Sequence, residues 1–315
     1  MWVWHLNQGS LTRLTFDKAA DFAPLWTLDS SRLVFSSDRD GGGLFWRAAD
    51  GTGRVEPLLE STSRPQPWGW TLDGRLLFDQ APGDTGVLAI EGERTVEMLL
   101  ETEFTTEQPA LSPDNRWLAY QSNESGRMEV FVQPFPNIDD GKWPVSTDRG
   151  FDPVWSPDGR ELFYLAVPER IMVVEVETAP TFNPGTPTEA FDAYIHSLFG
   201  PRYYDLAPDG ERFLMARAVG AQTDGEDQFT GLIVVENWFE ETQGAGANPV
   251  ACAQPCQGQR WPHLTISLEF RPAVEIRFWQ RLSQHRTRPL LPPAARDDRA
   301  LGNGDADGYN WTQWR

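Results

Sequence analysis

The chain has 315 residues, with 27 Lys and Arg against 46 Asp and Glu, a formal net charge of -19 and a hydrophobic fraction of 40% that includes 14 Trp and 18 Phe. So many aromatic side chains can bury enough surface to offset the entropy of ordering, which excludes a disordered chain. The acidic balance repels phosphate backbones and anionic membrane surfaces, which excludes nucleic acid as a partner by bulk electrostatics.

No stretch reaches the roughly 18 apolar residues of a spanning helix, and Met1–Leu6 lacks the basic region, apolar run and cleavage site of a signal peptide. Cys252 and Cys256 form a CxxxC pair with only His263 nearby, short of the second ligand pair that structural zinc needs. The expectation is a fold built without disulfides, metal or cofactor.

In chain order, Trp2–Thr15 reads as the third and fourth strands of a four-stranded unit whose first two strands are absent. Five copies of one repeat follow. They are Trp26-Thr-Leu-Asp29-Ser-Ser-Arg-Leu-Val-Phe35, Trp70-Thr-Leu-Asp73-Gly-Arg-Leu-Leu-Phe78, Leu111-Ser-Pro-Asp114-Asn-Arg-Trp-Leu-Ala-Tyr120, Trp155-Ser-Pro-Asp158-Gly-Arg-Glu-Leu-Phe-Tyr164 and Leu206-Ala-Pro-Asp209-Gly-Glu-Arg-Phe-Leu-Met215. Their aspartates are spaced 44, 41, 44 and 51 residues apart, the length of one propeller blade.

Pro presets the first corner of a turn, Asp folds its carboxylate onto nearby backbone N–H groups, and Gly or Asn accepts the left-handed corner. Asp29, Asp73, Asp114, Asp158 and Asp209 are therefore turn residues with a structural role. Each turn joins two strands. A polar loop then leads to a third strand, such as Leu44–Trp46 or Glu129–Gln133, and a short fourth, such as Val55–Leu59 or Lys142–Ser146.

Four-stranded units of this size cannot bury both sheet faces alone, so they must stack in a ring. Trp26, Trp70, Leu111, Trp155 and Leu206 fall at one repeat position and are expected to fill the space between blades. The predicted fold is an all-β propeller of four-stranded blades, six favoured and five the alternative, spanning 1–241.

Gly231–Trp238 reads as the third strand of the last blade. After Glu241 the composition changes: 242–315 hold nine Arg, no Lys and six acidic residues, a charge of +3 against -22 for the propeller. Read one base later, a back-translation of Thr242–Asn248 can encode Leu-Lys-x-Leu-Val-Pro-Thr, so 242–315 are expected to be an irregular, out-of-frame and disordered tail. Within it, Leu264–Phe270 and Val274–Trp279 could pair as strands. Asn303–Gly308 mimics the opening of a calcium loop, but Trp314 stands where the bidentate Glu belongs.

On Ser156-Pro-Asp-Gly-Arg160, Ser112-Pro-Asp-Asn-Arg116 and Ala207-Pro-Asp-Gly-Glu211 the chain resembles the TolB-like propeller family, over about Trp2 to Glu241. Leu28 and Leu72 depart from its Pro-Asp pattern. Leu111–Arg127 and Val235–Glu241 are similar to the propellers appended to bacterial serine/threonine protein kinases. No kinase motif and no Gly-x-Ser-x-Gly elbow of a propeller-gated peptidase is present. The resemblance implies a periplasmic location, with the cytoplasm the alternative.

No catalytic residue is assigned. His5 and His196 lack a second ligand at metal spacing and read as structural. Binding in a propeller falls on loops at the channel mouth, which here nominates Asp38, Arg39, Asn123, Glu124 and Arg127. An acidic mouth could hold a cation or favour basic peptide segments. The expected function is a non-catalytic protein- or ligand-binding module, monomeric, with a protein or peptide partner. The alternatives are a hydrolase or lyase with a channel metal, and a gene fragment without activity of its own.

Overall fold

A computed structural model describes residues 1–5, 10–167, 170–192, 202, 204–210 and 212–218, and the backbone of 232–234, 264–266, 274–282 and 286–289. Apart from two 3-10 turns, Arg39–Gly41 and Ile138–Asp140, its elements are strands. The all-β propeller expectation holds.

β1 (Trp2–His5) and β2 (Ser10–Arg13) pair as a hairpin. Four sheets of one design follow, each antiparallel in chain order. The first is β3 (Asp21–Trp26), β4 (Arg32–Ser37), β5 (Gly43–Ala48) and β6 (Glu56–Glu60). The second is β7 (Gln66–Trp70), β8 (Leu76–Gln80), β9 (Asp84–Leu88) and β10 (Val96–Leu100). The third is β11 (Thr106–Leu111), β12 (Trp117–Ser122), β13 (Glu129–Pro134) and β14 (Trp143–Pro144). The fourth is β15 (Phe151–Trp155), β16 (Glu161–Ala166), β17 (Arg170–Glu177) and β18 (Asn183–Pro184). In this last sheet β19 (Thr188–Asp192) shares the edge of β17 with β18. That extra strand accounts for the 51-residue gap from Asp158 to Asp209.

The final sheet begins with β20 (Tyr204–Leu206) and β21 (Arg212–Ala218). Here the backbone departs from expectation. β22 (Leu232–Val234) does not follow β21 as a third strand. β24 (Val274–Leu282) takes that place in a seven-residue antiparallel register, and β22 lies parallel on its far side. β23 (Leu264–Ile266) pairs with β1, and β25 (Arg286–Pro289) pairs with β24. The segments expected to pair with each other therefore join the two end sheets instead, because β1 and β21 each present an open edge. Six sheets are present among the described residues.

The five turns share one construction. The residue after each Asp donates its N–H to the carbonyl two residues before that Asp, at 2.8–2.9 Å, and has positive φ: Ser30 (57°), Gly74 (83°), Asn115 (55°), Gly159 (69°) and Gly210 (73°). A hydroxyl two residues before the Asp completes it. Ser112 Oγ donates to Asp114 at 2.6 Å and accepts from the Trp117 N–H at 3.0 Å; Ser156 repeats this with Asp158 at 2.7 Å and the Glu161 N–H at 2.9 Å. Thr27 and Thr71 do the same for Asp29 and Asp73.

The Asp-to-backbone bond predicted for every copy is present at Asp29, Asp114 and Asp158. Asp73 instead engages the Arg75 side chain. In the fifth copy Ala207 supplies no hydroxyl, and Asp209 accepts from the Arg212 side chain at 2.7 Å. Hydrogen bonds from Thr27 and Ser31 pull the Asp29 carboxyl down to about 2.

Between sheets lie apolar cores. Val34 and Leu44 of the first sheet pack with Leu76, Phe78 and Leu88 of the second; Leu77 and Val87 pack with Leu118, Tyr120 and Phe131 of the third. Trp117 and Val132 continue to Trp155, Leu162 and Phe182, and Phe163 and Leu165 to Tyr204 and Phe213. Trp70 and Trp155 fill these seams as expected, and each indole N–H also reaches back to the preceding sheet, to the Trp26 carbonyl at 2.7 Å and the Ala110 carbonyl at 3.0 Å.

Two substitutions at equivalent turn corners should diverge. Leu28 is exposed and its N–H serves no described bond, so Leu28→Pro should raise stability by about 0.4–1 kcal/mol by restricting the unfolded chain. The Leu72 N–H donates to Asn115 Oδ1 of the next sheet at 2.6 Å, so Leu72→Pro should give no gain. Ser112→Ala, which strips a buried N–H of its acceptor, should cost about 1–3 kcal/mol. Urea denaturation of the three variants measures all of this.

Candidate functional site at the channel mouth

Contacts between sheets centre on the first strands, β3 with β7, β7 with β11 and β11 with β15, and each first strand also touches the second strand of the sheet before it. First strands therefore line the axis and fourth strands the rim. The Asp turns sit at one end of the axis. The starts of the first strands, the ends of the second strands and the loops to the third strands share the other end.

At that end each second strand passes a polar group to the next sheet. Ser36, Asp79 and Gln121 occupy one place, the fourth residue of Leu33-Val-Phe-Ser36, Leu76-Leu-Phe-Asp79 and Leu118-Ala-Tyr-Gln121, and all are buried. Ser36 Oγ donates to the Pro65 carbonyl. Asp79 Oδ2 accepts from the Gln108 N–H at 2.9 Å, and Gln121 Oε1 accepts from the Asp152 N–H at 2.9 Å. The next copy has Leu165, which offers no polar atom, and the link reverses: the Tyr204 hydroxyl donates to the Asp152 carbonyl at 2.5 Å.

Gln108 and Asp152 lie at bulges in β11 and β15, with φ of 56° and 53°, each directly before a proline. A non-glycine residue in the left-handed region ahead of Pro is strained, and such strain persists only where neighbours over-determine it. Asp152 is held from both flanking sheets, by Gln121 on its N–H and Tyr204 on its carbonyl. The residue is only 4% exposed, and among the described residues Oδ1 has no hydrogen-bond partner.

Arg202 enters from just ahead of β20. Its guanidinium lies 5.2 Å from the ring centroid of Trp68 on β7, so it spans the axis from the last sheet to the second of the four like sheets. Among the described residues, its buried Nε and Nη2 have no hydrogen-bond partner. The cluster is therefore mixed in sign, where the sequence suggested an acidic mouth.

Burial pushes the Asp152 carboxyl up to about 7; the Arg202 charge opposes this and Glu107 adds to it. Burial likewise lifts Asp79 to about 7, against the nearby Trp68 indole and the Gln108 N–H, with Glu107 again raising it. The Trp68 N–H is itself buried and outside hydrogen-bond geometry. Among the described residues, no three of His, Cys, Asp and Glu converge on a metal position.

The loop residues nominated from sequence stand at this same end, each engaged within the fold. Asp38 pairs with Arg64 at 3.0 Å, an exposed bridge to the next sheet. Arg39 pairs with Asp21 at 2.5 Å between largely buried side chains and lies over the Phe35 and Phe45 rings. Asn123 Oδ1 accepts from the Thr105 N–H at 3.0 Å. Glu124 pairs with Lys142 at 2.7 Å, and Arg127 with Glu129 at 2.8 Å and Asp148 at 3.5 Å. These contacts tie the loops to one another and to the strands β3 and β13. His196, Cys252, Cys256 and Asn303–Gly308 lie outside the described residues, as does the His5 side chain.

Sequence reasoning passed over Asp79, Asp152 and Arg202. A signal existed for the first two. Aligned on their turns, the copies show a polar residue closing the buried apolar run, and a variable residue before Pro24, Pro109 and Pro153. Arg202 has no repeat partner, and only the fold places it.

The two raised carboxyls set a pH dependence. Between about pH 4 and 7 the folded chain keeps protons on Asp79 and Asp152 that the unfolded chain, with carboxyls near 3.8, releases. Stability should therefore fall as pH rises through that window and level off above it. Asp79→Asn and Asp152→Asn, which mimic the neutral acids, should each flatten the fall, read as melting temperature from pH 5 to 8.

No family model matches the chain, and no curated protein matches it. Solved structures do. TolB from Acinetobacter baumannii aligns at 14% identity over 67% of this chain and 52% of that one, with a TM-score of 0.53, so the chain spans about half its length. A β-propeller domain from Myceliophteria thermophila aligns at 11% identity over 68% and 72%, with a TM-score of 0.50. A gluconolactonase from Xanthomonas campestris aligns at 15% over 66% and 73%, with a TM-score of 0.48. At these identities the likeness is one of fold: the chain is built as a β-propeller.

Proposed function

We propose that the chain is a non-catalytic binding propeller of the sensor or scaffold type that the resemblance to kinase-appended modules implies, and that its ligand, a peptide or protein segment, enters at the Asp152 end of the channel. One observation carries the reading. Asp152 is held in a strained conformation from two sheets while, among the described residues, one oxygen of its buried carboxyl and the Nε and Nη2 of nearby Arg202 have no hydrogen-bond partner. Strain and unmet hydrogen-bond capacity together mark a preorganised recognition site.

The chemistry supports binding over turnover. The Tyr204 hydroxyl is committed to the Asp152 carbonyl, and burial drives its pKa upward, away from any role as a base. The positive charge of Arg202 acting on Asp152 disfavours a divalent cation at this carboxylate, which weighs against a channel-metal enzyme.

The test presents the full chain to a random peptide library displayed on phage with free C-termini. The expected result is one enriched peptide family whose affinity drops about tenfold or more in Asp152→Asn, the loss of a charged hydrogen-bond acceptor, and which mass spectrometry recovers intact. An enriched family indifferent to Asp152→Asn, no enrichment, or a cleaved peptide would each overturn the reading.

A further inference from the structure

We propose that Arg202 receives a carboxylate, and Asp152 the N–H beside it, from a ligand of the N-acyl amino acid class, which includes the free C-terminus of a peptide. The inference rests on the binding reading above and names the group that the channel recognises.

The argument starts from which edge of the guanidinium is unsatisfied. Nε and Nη2 form one side of the planar fork, with two N–H bonds pointing the same way, and both are buried without an acceptor. That edge matches the two oxygens of a carboxylate in a bidentate pair. The ring of Trp68, 5.2 Å from the guanidinium, restrains the fork, which lowers the entropy lost when an oxyanion docks.

Asp152 is not the acceptor in the free protein: among the described residues, Arg202 Nε and Nη2 and Asp152 Oδ1 all lack a partner. Two complementary groups therefore stand near each other without bonding. A ligand that bridges them must accept at Arg202 and donate at Asp152. An α-amido carboxylate does both with adjacent atoms.

A phosphate would also fit the fork, but it brings no N–H to Asp152 beside the oxygens that the fork receives. A simple cation would satisfy Asp152 and leave the fork empty. A capped peptide amide would satisfy Asp152 but offer the fork one oxygen in place of two.

The experiment is isothermal titration of the full chain with N-acetylalanine, N-acetylalaninamide and an N-acetylated alanine pentapeptide carrying a free carboxylate. The acids are expected to bind at least about tenfold more tightly than the amide, the worth of a charge-assisted bidentate pair. Arg202→Lys, which keeps the charge and loses the fork, should remove most of that difference. A tighter pentapeptide than N-acetylalanine assigns a chain terminus as the source, and equal affinities assign a free acid; both sustain carboxylate capture.

Acid and amide binding alike, or no acid binding at all, overturns it. So does a folded Arg202→Lys protein that still prefers the acid. The comparison of acid with amide uses the wild-type chain and does not depend on any variant folding. If phage selection yields peptides that bind equally well with the C-terminus blocked, the binding module stands and carboxylate capture alone fails.

Discussion

Each sheet of this protein buries its faces only against its neighbours, and every other feature follows from that dependence. A four-stranded sheet of about 44 residues has two faces and no core of its own. The seams between sheets carry the large apolar residues, from Val34 and Phe78 through Tyr120 and Trp155 to Phe163 and Phe213. The indoles of Trp70 and Trp155 do two things there. Their rings fill the seam and their N–H groups hydrogen-bond backward, so the angle between sheets is set by a directional bond as well as by packing.

The same dependence explains why polar groups are buried near the axis. First strands converge there, and their bulges leave backbone N–H and carbonyl groups that the ladders do not use. A buried backbone group needs a partner, and the second strand of the preceding sheet provides it from Ser36, Asp79 or Gln121. The repeat thus carries a structural polar bond at the position where a propeller presents ligands. Where Leu165 breaks the series, Tyr204 substitutes from the other side and Asp152 becomes the point gripped from both. Function can be grafted at such a point at little cost, because the scaffold already immobilises the residue.

Turn chemistry was largely legible in the amino-acid sequence because it is local. The Pro-Asp-Gly corner, its spacing and the resulting all-β units depend on residues within five positions of one another. The preceding hydroxyl was visible as Ser or Thr in four copies and as Ala207 in the fifth, yet its bond to the backbone beyond the turn emerges only once the strands close. The nominated loop residues were legible as loop positions, but their contacts were not: Arg39 pairs with Asp21 and Asn123 accepts from the Thr105 N–H, partners that only the assembled sheets bring near.

By itself the sequence determined the repeat, the turn that builds it, the aromatic seams and the strand-only architecture, since each is encoded by short-range pattern and side-chain chemistry. Tertiary structure alone decided three things. It chose which strands complete the end sheets, because β1 and β21 pair with segments far along the chain. It turned Asp79 and Asp152 from ordinary acidic residues into buried carboxyls near pH 7, because burial is a property of the assembled ring. And it brought Arg202 across the axis to Trp68, a meeting that no local pattern encodes, because it depends on how far successive sheets rotate about their common axis.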